Sequence, residues 1–88
     1  MKIKNGFILR DVGNKTFVVA VGELSKTFNG MITLNETGKY IWQLLDNEIT
    51  EEEIVAKIME KYTDAPMELV KKDVCDFIQK LKKDGVLE

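Results

Sequence analysis

The chain has 88 residues, 44% of them apolar and 32% charged, with a net charge of −2, a single cysteine and no histidine. That is room for one domain, 1–88, whose core buries only about 60% of the unfolded chain's surface, and for no second domain. The lone Cys75 closes no internal disulfide, carboxylates alone do not suit zinc, and a nucleophile without histidine lacks its usual base, so neither a metal, a cofactor nor an enzyme is expected.

The N-terminus, Met1-Lys2-Ile3-Lys4-Asn5-Gly6, carries no apolar signal region, and no apolar run approaches the roughly 18 residues of a membrane span. A cytoplasmic protein that does not enter a membrane is expected. Phe7-Ile8-Leu9-Arg10-Asp11-Val12 and Thr16-Phe17-Val18-Val19-Ala20-Val21 are rich in β-branched and aromatic residues. Gly13-Asn14 between them suits the positive φ of a tight hairpin turn. A third β segment lies within Leu24 to Leu34, where Asn29-Gly30 either splits a short hairpin or marks a bulge.

From Asn35 the period becomes helical, with Asn35 placed to accept amide hydrogens of the first turn and Thr37, Gly38, Ile41, Leu44 and Leu45 on one face. Gly38 costs about 1 kcal/mol of helix propensity against alanine, which points to close approach of another backbone. Asp46-Asn47 breaks this helix. Thr50-Glu51-Glu52-Glu53 is a capping box ahead of a second helix, whose apolar stripe is Ile54, Val55, Ile58, Met59 and Tyr62. Its three carboxylates are explained by helix electrostatics rather than acid–base chemistry. Asp64-Ala65-Pro66 opens a third helix with Met67, Val70, Val74, Phe77, Ile78 and Leu81 as its stripe, and Gly85 stops it. Val86-Leu87 is placed to dock back on the core. Strands followed by helices predict an α+β domain of winged-helix type, a three-stranded antiparallel sheet followed by three helices.

On the third helix, Lys71, Lys72, Cys75, Gln79, Lys82 and Lys83 share one flank, while Asp73, Asp76 and Asp84 share the other, with Lys80 among them. Such a flank is ordinarily a solvated face; its functional reading is a basic wall for an acidic partner. Cys75 suits a small semi-buried position. Trp42 suits the core or its edge, with a partner contact through Trp42 and Tyr40 as the other reading. A three-stranded sheet has two edges, and an open edge beside the third helix would make a groove for an extended peptide.

The residues Leu34-Asn35-x-Thr37-Gly38-x-x-Ile41-Trp42-x-Leu44-Leu45-Asp46, Thr50-x-Glu52-Glu53-Ile54-Val55 and Asp73-Val74-x-x-Phe77-Ile78-x-x-Leu81-x-x-x-Gly85-x-Leu87 resemble the PqqD-like family, also described as RiPP recognition elements. The resemblance implies a domain that binds the leader of a ribosomally made precursor peptide as an added strand and presents it to a maturation enzyme, radical-SAM or other. Carried onto this sequence, the contact strand falls at Thr27, Phe28, Met31, Ile32 and Leu34, and the helix wall at Lys71, Cys75, Gln79 and Lys82. A basic wall predicts an acidic leader with alternate apolar side chains. The same edge could pair with a second copy, giving a homodimer.

The rival reading is a DNA-binding winged helix. From Pro66 to Asp84 its recognition helix would set five lysines against four acidic residues, with no arginine, a poor base for phosphate neutralisation or base readout, so no nucleic acid is expected. A regulatory domain that binds a folded partner is the remaining alternative.

Overall fold

In the computed structural model, which describes residues 1–22, 26 and 31–88, β1 (Phe7–Val12) and β2 (Lys15–Ala20) form the hairpin, closed at the Val12↔Lys15 pair. The two-residue turn takes its left-handed residue from Gly13, at φ 63°, while Asn14 stays at negative φ. This is the turn class with glycine first, whose twist matches that of the strands. β3 (Met31–Leu34) pairs antiparallel with β2 in the order β1-β2-β3. The second turn signal, Asn29-Gly30, lies outside the described residues.

Three helices follow: α1 (Glu36–Leu44), α2 (Glu51–Lys61) and α3 (Met67–Lys83). Each start is fixed locally. The Gly38 amide donates to Asn35 Oδ1 at 2.7 Å. The capping box closes in both directions, with the Glu53 amide donating to Thr50 Oγ1 at 3.1 Å and the Thr50 amide donating to Glu53 Oε1 at 3.0 Å. A cap of this kind stabilises a helix by about 1 kcal/mol. Pro66 stands at the N-cap of α3, one residue before the helical turn.

The end of α3 is a Schellman motif. Gly85 is left-handed at φ 75°, its amide donates to the Lys82 carbonyl, and the Val86 amide donates to the Leu81 carbonyl. The chain then turns inward, burying Val86 completely and Leu87 almost so. Ile3 pairs with Leu87, and the amides of Ile3 and Lys4 donate to the carbonyls of Leu45 and Val86. The two ends of the chain thus close the core under the helices.

One face of the sheet supplies Val18, Ile32 and Leu34 to that core; the helices supply Ile41, Leu45, Ile54, Ile58, Val70, Val74, Ile78 and Leu81. Trp42 is 3% exposed and meets Phe7 edge to face, with ring centroids 6.2 Å apart, so it belongs to the core. Cutting one of these fully buried side chains back to alanine costs about 2–5 kcal/mol. The other face of the sheet, with Ile8, Val19 and Met31 in one cross-strand row, points away from the helices.

Candidate functional site

β3 is an edge strand: β2 lies on one side of it and no described strand on the other. Its alternation is strict, with Ile32 and Leu34 buried and Met31 and Thr33 exposed. The four residues span about 13 Å, and alternate ones turn their N–H and C=O groups away from β2. Such groups are free to bond a further strand.

α3 bounds the space beside this edge. A depression of about 390 Å³ is lined by Thr33, Leu34 and Asn35 on one side and by Phe77 and Lys80 on the other. It shares Asn35, Phe77 and Lys80 with a second depression of about 410 Å³, which continues between α1 and α3 past Gly38, Ile41, Asp73 and Asp76. Gly38 is buried in this floor. A Cβ there would stand 3.2 Å from Asn35 Oδ1 and 3.5 Å from both Leu34 Cδ2 and Phe77 Cε1. The close neighbours are therefore side chains, the capping Asn35 foremost, and not the second backbone that the sequence suggested.

The lysine flank of α3 looks elsewhere. Lys71, Lys72 and Cys75 line a wider depression of about 780 Å³ against α2, opposite Val55, Ala56 and Met59. The buried stripe Val70, Val74, Ile78 and Leu81 runs between this flank and the one bearing Phe77 and Lys80. Two residues along a helix rotate by about 200°, so Cys75 and Phe77 fall on opposite sides of the stripe. Gln79 and Lys82 continue the lysine flank and are exposed. Cys75 is also exposed, a correction to the semi-buried position expected for it.

Of the residues expected at the site, Met31, Ile32 and Leu34 lie on the open strand, and Thr27 and Phe28 lie outside the described residues. The helix residues brought to the strand are Phe77 and Lys80. The sequence held a signal for them: Phe77 sits at the rim of the apolar stripe, and Lys80 is the one lysine on the acidic flank. Half-buried, Phe77 packs against the core with one side and leaves the other to the groove.

The hairpin is tied to α1 by charge. Asp11 accepts from the Thr16 hydroxyl at 2.6 Å and from Lys39 Nζ at 3.0 Å. These two hydrogen bonds, that of Thr16 first, hold its carboxyl below the ordinary aspartate value. Among the described residues no group of three or more His, Cys, Asp or Glu is arranged to hold a metal ion. No described helix is long and apolar enough to cross a membrane.

A three-stranded antiparallel sheet with an open edge, followed by three helices of which the third flanks that edge, defines a winged-helix-like α+β domain. The family model for coenzyme PQQ synthesis protein D (PqqD) matches residues 9–87, and the chain belongs to that family. Among solved structures it is similar to one described as TbiB1 in complex with the TbiA(beta) leader peptide. The two are 26% identical, with a TM-score of 0.78 over all of this chain and 95% of the other. No curated protein matches this chain.

Proposed function

We propose that this protein is a RiPP recognition element that captures the leader of a ribosomally made precursor peptide by strand addition to β3. It hands the precursor to a maturation enzyme, of the radical-SAM class or another, and itself makes and breaks no bond. The open edge at Met31–Leu34 beside the Phe77–Lys80 wall carries the reading. Family membership supports it, as does the likeness to TbiB1, a protein whose structure holds a leader peptide.

The physical advantage is concentration. A leader held at the edge turns the meeting of core peptide and enzyme into a tethered event, with effective concentrations on the order of millimolar for a short flexible linker. Main-chain bonds to β3 give affinity without demanding a sequence. Side chains entering between Leu34 and Phe77 give selectivity. In this arrangement Lys71, Cys75, Gln79 and Lys82 stand outside the groove, and their flank adds only long-range attraction that salt screens. The site of action is the cytoplasm, where precursor peptides are made.

Strand addition has a two-residue signature. Leader peptides N-methylated one position at a time should lose affinity at alternate residues, because only every second amide donates to β3. Calorimetric titration reads this directly. A loss with no alternation, or no loss at any position, would rule out main-chain pairing.

A further inference from the structure

The groove does not end with the strand. The depression between α1 and α3 shares Thr37 and Asp73 with a third one, of about 230 Å³, enclosed by Ile58, Tyr62, Ala65, Leu69 and Val74. Moving away from β3, the α3 residues met in turn are Lys80 and Phe77, then Asp76 and Asp73, then Val70 and Leu69. From Lys80 back to Leu69 the helix covers about 16 Å. An extended peptide covers that distance in about five residues.

The chemistry changes along this path. Its charged groups are two carboxylates, Asp73 and Asp76, and one ammonium, Lys80, and none of the three forms an ion pair with another described residue. Its far end is apolar, with Leu69 54% exposed on the rim. There the Tyr62 side chain joins Ile58, Ala65, Leu69, Val70 and Val74 in lining the depression.

We infer that the bound peptide continues beyond β3 along α3, with a cationic side chain between Asp73 and Asp76 and an apolar side chain in the Tyr62 pocket. The inference rests on the strand-addition reading and specifies the ligand further. It reverses the acidic leader that the lysine flank suggests, because that flank faces α2 and the acidic flank faces the groove.

The test uses blocked synthetic peptides with an alternating Val-Thr core, extended at either end by Gly-Arg-Gly-Leu or by Gly-Glu-Gly-Leu. Each is titrated into the isotope-labelled full chain at low salt, following backbone amides. The arginine extension should bind about tenfold more tightly than the glutamate one and shift Asp73, Asp76 and Tyr62. The double variant Asp73→Asn, Asp76→Asn should abolish that preference. Equal affinity for both extensions, with shifts at Met31–Leu34 retained, overturns the inference and leaves strand addition standing. Absence of shifts at Met31–Leu34 with every peptide overturns both.

Discussion

Gly38 shows how one residue serves both helix and groove. In an exposed helix, replacing it with alanine would add about 1 kcal/mol of stability. Here the new Cβ would press on Asn35 Oδ1, the acceptor that caps the same helix through the Gly38 amide, and that oxygen cannot retreat without lengthening the cap bond. Chemical denaturation of Gly38→Ala should therefore show no gain, and a small loss is the expected sign; a full gain of about 1 kcal/mol would mean the contact yields freely. The sequence pointed to Gly38 as a close approach because glycine inside a helical face is costly. It could not say that the neighbours were a capping amide and an aromatic ring, since Phe77 lies 39 positions away in the chain. Cys75 carried a weaker signal: a small apolar residue bordering a stripe is compatible with either side of the burial boundary.

Among the elements, order and type were legible because each boundary has a local chemical cause: Gly13 in its turn, Asn35 and Thr50 at their caps, Gly85 at its stop. The rotation of α3 was not legible. Hydrophobic periodicity fixes which stripe is buried, but it is blind to which flank meets β3 and which meets α2, because handed packing of the helix against the sheet decides that. Of the flanks of α3, the one with Lys71 and Lys72 lines the depression against α2, and the one with Phe77 and Lys80 lines the depression beside β3. The Asp11–Lys39 contact between hairpin and α1 was equally invisible, being a pairing of two ordinary surface charges. It makes a pH prediction with a definite sign. Asp11 titrates lower in the folded chain than in the unfolded one, so its contribution is present above the ordinary aspartate range and is lost as pH falls through the depressed folded value. Thermal midpoints of the wild type and Asp11→Asn should differ at neutral pH and converge as the carboxyl is protonated, when pH falls through its depressed folded value. A difference that persists undiminished in acid would assign the effect to the side chain's packing and not to its charge.

For the whole molecule, sheet and helices are clasped by the chain ends, and β3 is left as an open edge beside α3. Docking of Val86-Leu87 followed from the sequence; the matching role of Ile3 did not, because one isoleucine among lysines has no period to betray it. Burial on this scale leaves the groove as a shallow, preformed feature, so binding should reorganise little of the fold. The most direct test of the account is a titration of the isotope-labelled protein with the leader of a precursor encoded beside its gene, followed amide by amide. The account predicts saturable shifts at Met31–Leu34 together with Phe77 and Lys80, while Lys71 and Cys75 stay in place. Shifts confined to the α2–α3 depression around Met59, Lys71 and Cys75, or no shifts at saturating peptide, would contradict it.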